Sequence, residues 1–137
     1  MLGLLAGKTI LLVDDDADIL TAMQAALSEL GPEILTASDG KAAVDVANQR
    51  APDLVVLDQM LPKRSGFLVM EGLKRGRKRS DPPRVIMITG NLGSRHKVYA
   101  EGLGVDVYLN KPFRMEKLIE SVLRLLGAPA TPPPPGT

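Results

Sequence analysis

The chain contains no cysteine and carries almost no net charge, and both features narrow its class. Without cysteine neither a disulfide nor a thiolate metal site can form, which suits a reducing compartment. A formal net charge of +1 gives no overall attraction to nucleic acid or acidic membranes. No apolar stretch has the length of a membrane-spanning helix, and the opening residues 1–7 lack the length and basic flank of a signal peptide. We therefore expect a soluble cytoplasmic domain.

The length of 137 residues is enough for a single hydrophobic core. We predict one domain over residues 8–127, preceded by a short lead at 1–7 and followed by a tail at 128–137. Residues 128–137 contain five prolines and no plausible core residue, so we predict that they are disordered or form a polyproline II segment. Such a segment is either a terminal tail or a linker. A docking motif for a proline-binding domain is the less favoured alternative.

Short apolar runs alternate with helical periodicities five times along the chain. The apolar runs predict strands at residues 10–13, 33–37, 54–57, 85–88 and 105–109. Apolar residues at helical spacing predict helices over residues 19–30, 39–49, 65–74, 94–101 and 114–126. The third of these helices is predicted to bury Phe67, Leu68 and Met70. Repeated units of this kind predict an α/β fold, with a parallel sheet covered by helices on both faces.

Polar side chains follow four of the predicted strands. They are Asp14 and Asp15 after the first strand, Asp58 after the third, Thr89 after the fourth and Lys111 just beyond the fifth. Each alone has a structural explanation, such as a helix cap or a solvated side chain. Because the carboxyl ends of parallel strands meet at one edge, the three carboxylates should crowd together and require a cation, for which oxygen ligands favour Mg²⁺.

The order and spacing of these segments resemble the receiver domain of two-component response regulators, a CheY-like family. The matching segments are LLVDDD at 11–16, LDQMLP at 57–62 with SG at 65–66, ITG at 88–90 and YLNKPF at 108–113. The resemblance covers residues from about 8 to 126. It implies a flavodoxin-like (βα)5 three-layer sandwich with strand order 2-1-3-4-5.

The resemblance also implies a role for each acid. Asp58 resembles the phosphoacceptor and a metal ligand, Asp15 a direct Mg²⁺ ligand and Asp14 a residue that holds the metal through water. The backbone carbonyl of Met60 stands where the family supplies a further metal oxygen, and Mn²⁺ is an alternative ion. A metal bridging the nucleophile and the phosphoryl group would neutralise charge during transfer.

Three further residues match positions that contact or sense the phosphoryl group. Lys111 resembles the lysine that contacts phosphoryl oxygens, and its bond to Pro112 is expected to be cis. Thr89 and Tyr108 resemble the switch pair, in which the hydroxyl donates to the phosphoryl group and the aromatic ring turns inward. An ordinary rim aromatic remains the alternative for Tyr108.

The function implied is Mg²⁺-dependent acceptance of a phosphoryl group by Asp58, from a histidine kinase, a phosphotransfer protein or a small phosphodonor. The chain would catalyse only its own phosphorylation and dephosphorylation, and is not otherwise an enzyme. Phosphorylation would switch the surface formed by the fourth helix, fifth strand and fifth helix, which would act on a downstream protein, an output domain or a second copy in a dimer. The alternative is a receiver-like interaction module that is never phosphorylated.

Other enzyme classes are disfavoured by missing residues. The turn after the first strand holds neither the Gly-x-Gly-x-x-Gly of dinucleotide binding nor the Gly-Lys-Ser/Thr of nucleotide hydrolysis. A phosphatase that forms an aspartyl-phosphate would need an acid at position 60, where Met60 stands. By resemblance, Met60 and Asn91 occupy the positions where receivers control access of water to the phosphoryl group, and an apolar Met60 predicts slower loss of phosphate than a polar residue would give.

Two remaining features favour ordinary surface roles. The basic run KRGRKR at 74–79 is interpreted as a solvated loop, with a patch for nucleic acid or an anionic partner as the less favoured alternative. His96 is interpreted as a surface residue of the fourth helix rather than a ligand or phosphocarrier.

Overall fold

The computed structural model describes residues 3–61, 65–78, 81–90 and 94–127. The five strands are β1 (Thr9–Val13), β2 (Glu33–Ala37), β3 (Leu54–Asp58), β4 (Arg84–Thr89) and β5 (Val107–Asn110). The five helices are α1 (Ala17–Ser28), α2 (Gly40–Arg50), α3 (Gly66–Lys74), α4 (Ser94–Gly102) and α5 (Met115–Leu125). The strict alternation confirms the predicted α/β fold.

All five strands are parallel and lie in the order β2-β1-β3-β4-β5, which confirms the predicted sheet. The register aligns Val13 of β1 with Leu57 of β3, so that Asp14 and Asp58 continue side by side from adjacent strands. On β4, Ile88 is aligned with Asp58. The carboxyl ends of the three central strands therefore meet at one edge of the sheet, where the polar residues were expected.

Alternate side chains of each central strand enter one of two apolar layers. Ile10, Leu12, Leu54 and Val56 pack with residues of α1 and α5. Leu11, Val55 and Leu57 belong to the opposite layer, which includes residues of α2 and α3. Because helices cover both faces, the strands need apolar residues at successive positions, which explains the continuous apolar runs of the sequence.

Helices α1, α2 and α3 begin at residues whose side chains cap the first turn. Asp16 accepts hydrogen bonds from the backbone N–H groups of Asp18 and Ile19, as expected of an N-cap. Asp39 caps α2 through the N–H of Ala42, and Ser65 caps α3 through that of Leu68. These short-range bonds satisfy N–H groups that have no partner within the helix.

Some predicted bounds and faces were wrong. In α3 the buried face is formed by Val69, Met70 and Leu73, whereas Leu68, predicted to be buried, is 53% exposed. The fifth strand begins at Val107 rather than at residue 105, because two residues of the predicted strand belong to the turn before it. Asp58 and Thr89 are themselves the last residues of β3 and β4, and are not loop residues that follow them.

The basic run lies before the amino end of β4, at the edge of the sheet opposite the acids. Lys74 donates to the backbone carbonyl of Asp81 at 2.7 Å, and a guanidinium nitrogen of Arg77 donates to the carbonyl of Pro82 at 2.7 Å. Burial lowers the pKa of Lys74. In the described part of the run, two of the basic side chains thus hold the loop that leads into β4.

No helix within the described residues is both long enough and apolar enough to cross a membrane.

The predicted N-terminal lead contributes one side chain to the core. Leu5 is 1% exposed and packs in the layer of α1 and α5. Its backbone N–H donates to the carbonyl of Leu30 at 2.8 Å, which ties the segment to the turn after α1. The neighbouring Leu4 lies at the surface.

We expect Leu5→Ala to lower the free energy of unfolding by about 2–5 kcal/mol, because it removes a buried side chain and leaves a cavity. The matched variant Leu4→Ala should lower it by less than about 1 kcal/mol, since that side chain lies at the surface and is 37% exposed. Urea unfolding of both variants measures the difference. Equal effects would contradict the placement of Leu5 in the core.

Candidate functional site

Three carboxylates converge at the carboxyl edge of the sheet. Asp14 and Asp15 follow β1 directly, and Asp58 ends β3. One carboxylate oxygen from each lies within 4.8 Å of the other two, so the sequence-predicted cluster is present. Asp14 and Asp58 are buried, whereas Asp15 is exposed. The group is open to solvent on the side of Asp15.

Lys111 contacts both buried acids. The Nζ of Lys111 lies 3.4 Å from Oδ2 of Asp58 and 3.7 Å from Oδ2 of Asp14. The peptide bond from Lys111 to Pro112 is cis, as the resemblance implied. The backbone N–H of Lys111 donates to the carbonyl of Thr89 at 2.7 Å, so the lysine is attached to β4 as well as to the acids.

Asp14 carries its carboxyl group in an environment that disfavours the charged form. Burial raises the pKa of its carboxyl, and the nearby charge of Asp58 raises it further. The N–H of Asp16, which donates to Oδ1 at 2.9 Å, and the charge of Lys111 oppose this shift. The net effect is a raised pKa for Asp14, so the cost of removing its charge from water outweighs the favourable contacts with Asp16 and Lys111.

The second oxygen of Asp14 has the environment of a metal ligand or of a ligand to metal-bound water. Oδ2 of Asp14 is buried and has no hydrogen-bond partner among the residues that the structure describes. A buried acceptor without a partner is costly unless a cation or water completes it. Three clustered carboxylates are also the hard oxygen donors that Mg²⁺ prefers. The residues present therefore fit a divalent cation.

The structure places the remaining predicted residues around this cluster. The backbone N–H of Met60 donates to Oδ1 of Asp58 at 3.1 Å, and the Met60 side chain is 68% exposed at the mouth of the site. Thr89 is fully buried at the end of β4. Tyr108 is aligned with Met87 and partly buried against the layer of α2 and α3. On β5, Tyr108 lies two residues before Asn110, the residue that is aligned with Thr89.

The buried amide of Gln59 was missed by sequence reasoning. The hydroxyl of Thr89 donates to Oε1 of Gln59, which links the ends of β3 and β4 through side chains. In the sequence Gln59 follows Asp58 at the start of a loop, where a polar residue is usually solvated. No local pattern in the sequence marks Gln59 as buried, because its placement follows from pairing with β4, where its N–H donates to the carbonyl of Ile88 at 2.9 Å.

Comparison with known proteins gives the same result as the geometry. The sequence model described as the response regulator receiver domain matches residues 10–123. The chain belongs to the response regulator receiver family.

Relatives of this receiver include full-length regulators and isolated domains. The phosphate regulon transcriptional regulatory protein PhoB of Pseudomonas aeruginosa is 39% identical over 126 residues, which cover 90% of this chain and 55% of PhoB. The receiver therefore spans about half the length of the curated relatives it matches.

Solved receiver structures superpose on nearly the whole domain. The receiver domain of a Francisella response regulator has a TM-score of 0.80 at 28% identity, covering 88% of this chain and 98% of that one. The BeF3-activated receiver domain of DrrB has a TM-score of 0.76 at 32% identity, covering 88% and 97% of the two chains.

Three sequence predictions for the receiver lie outside the described part of the chain. They concern Asn91, the side chain of His96 and the proline-rich tail at 128–137.

In metal-free buffer at neutral pH, we expect Asp14→Asn to raise the free energy of unfolding by roughly 1–3 kcal/mol, because it removes a charge that burial disfavours. Asp15→Asn, at an exposed carboxylate of the same cluster, should change it by less than about 0.5 kcal/mol. Chemical denaturation in the presence of a chelator measures both. A loss of stability in Asp14→Asn would mean that its pairing with Lys111 outweighs the cost of burial.

Proposed function

We propose that the chain is the phosphoacceptor of a two-component signalling system and that Asp58 is the residue phosphorylated. The observation that carries the proposal is the contact of Lys111 with Asp58, beside the two acids that end β1. A carboxylate next to a compact cation at the open edge of the sheet supports the role of Asp58 as the nucleophile. The Oδ1 of Asp58 accepts the N–H of Met60, which orients the carboxylate.

The reaction is the transfer of a phosphoryl group to a carboxylate oxygen. An oxygen of Asp58 forms a bond to phosphorus while the bond between phosphorus and the donor's nitrogen or oxygen breaks, and the leaving group keeps the electron pair. Lys111 balances charge on the transferring oxygens as a point charge. The donor is a histidine kinase, a phosphotransfer protein or a small acyl phosphate.

The acids would hold Mg²⁺ or Mn²⁺, with Asp15 and Asp58 as direct ligands, Asp14 through water and Met60 through its backbone carbonyl. When bound, the ion neutralises the phosphoryl oxygens that face the nucleophile. The buried Oδ2 of Asp14, which has no hydrogen-bond partner among the described residues, and the clustering of three carboxylates support this assignment. The description of the DrrB receiver as activated by BeF3 is consistent with a phosphoryl-like ligand in this family.

Thr89 and Tyr108 are proposed as the groups that sense the phosphoryl group. The Thr89 hydroxyl would donate to a phosphoryl oxygen on Asp58, and Tyr108 would follow by turning toward the interior. The surface of α4, β5 and α5 would then be recognised by a downstream protein, an output domain or a second copy in the cytoplasm. The exposed apolar side chains Val98 and Tyr99 on α4 are available for such a contact.

With Mg²⁺ and acetyl phosphate, we expect the intact chain to gain the mass of one phosphoryl group, because Asp58 is paired with Lys111 and faces the edge of the sheet. Asp58→Asn should gain none, and chelation of the metal should abolish the gain in the parent chain. Intact-mass spectrometry measures all three samples. No gain in the parent chain would favour the non-phosphorylated interaction module.

We expect Met60→Asn to shorten the lifetime of the phosphorylated form by roughly tenfold, since a polar side chain at the mouth of the site can orient attacking water. Met60→Leu is the matched control, because it keeps an apolar side chain at the same position, and its lifetime should match the parent. Release of inorganic phosphate after removal of the donor measures the rates. Equal lifetimes for all three proteins would show that position 60 does not control hydrolysis.

A further inference from the structure

We propose that Gln59 is a positioning residue that holds the Thr89 hydroxyl in the unphosphorylated arrangement and so sets how readily the receiver accepts a phosphoryl group. This inference rests on the proposed function, in which Thr89 donates to the phosphoryl group on Asp58. It concerns the regulation of that site by the residue next to the phosphoacceptor.

The backbone of Gln59 is fixed on two sides. Its N–H donates to the carbonyl of Ile88 at 2.9 Å, and its carbonyl accepts from the N–H of Gly66 at 2.8 Å. The first residue of α3 is packed against it so closely that a Cβ on Gly66 would lie 2.7 Å from the Cα of Gln59. The backbone position from which the Gln59 side chain extends is therefore fixed.

The side chain of Gln59 is only 6% exposed, although it is polar, and its Oε1 accepts the hydrogen bond from Thr89. A buried amide requires such a partner, since an unsatisfied one is costly. Thr89 is fully buried as well, and its carbonyl accepts from Lys111. The bond therefore joins Gln59, the residue after Asp58, to Thr89, whose carbonyl accepts the N–H of Lys111.

A threonine hydroxyl has one proton to donate. When it is given to Gln59, it is not available to a phosphoryl oxygen on Asp58, so the two acceptors compete. Ligand binding at Asp58 is then weakened by the free energy of the bond that must be broken. Removing the Gln59 acceptor should relieve this competition without touching the acids or the lysine.

The test uses beryllofluoride with Mg²⁺ as the phosphoryl mimic and calorimetry as the readout, because the chain has no tryptophan. We expect Gln59→Met to raise the affinity about fivefold, the factor corresponding to one neutral hydrogen bond. Methionine is chosen because it is unbranched and adapts to a buried site without accepting the hydroxyl proton effectively.

Two further backgrounds separate positioning from a general structural effect. In Thr89→Val, which has no hydroxyl, Gln59→Met should leave the affinity unchanged; in Thr89→Ser, which keeps the hydroxyl, the increase should return. An equal effect of Gln59→Met in all three backgrounds, or none in the parent, would overturn the proposal. If the parent binds no beryllofluoride, the proposed function fails; if it binds but shows no coupling, only the positioning role fails.

A second measurement uses the parent chain alone and so does not depend on whether the variants fold stably. In the ¹⁵N spectrum of the parent chain, the side-chain amide signals of Gln59 should shift when beryllofluoride binds, because Oε1 loses its donor. These signals are assigned through residue-selective labelling and sequential connectivities. Unchanged Gln59 signals at saturation would show that the Thr89 bond persists, and would contradict the proposal.

Discussion

The contact of Lys111 with Asp58 and Asp14 is the interaction on which the polar end of the molecule depends. Three carboxylates within 4.8 Å of one another would repel strongly, and two of them are buried. Lys111 supplies the one positive charge that the described residues show in contact with both buried acids. Its position follows from the parallel sheet, because its N–H is bound to the carbonyl at the end of β4.

The same contact neutralises the cluster only in part. The lysine lies 3.4 and 3.7 Å from the two acids, distances that allow attraction but not short hydrogen bonds. Burial still raises the pKa of Asp14. The protein therefore retains an excess of negative charge at a point where a cation and a phosphoryl group would be stabilised, a local cost in stability that is typical of functional sites.

The sequence predicted the sheet and its polar edge well, because both follow from strict regularities of parallel β-strands. Apolar runs identify doubly covered strands, and acids at their ends must meet at one edge. Which face of a short helix is buried depends on neighbours that are distant in sequence. For this reason Leu68 was predicted to be buried, whereas the structure buries the adjacent Val69 and exposes Leu68. Gln59 was missed because its hydrogen bond joins residues thirty positions apart.

The family match and the hydrophobic core have different limits in this chain. The match begins at residue 10, whereas Leu5 already lies among the core residues of α1 and α5. The sequence pattern common to the family sets the start of the match at residue 10. Burial of apolar side chains away from water sets the start of the core, which includes Leu5. A version that begins at residue 10 would lose the buried Leu5 side chain and its backbone bond to Leu30, so stabilities compared across the family on domains trimmed in this way would understate that of this receiver.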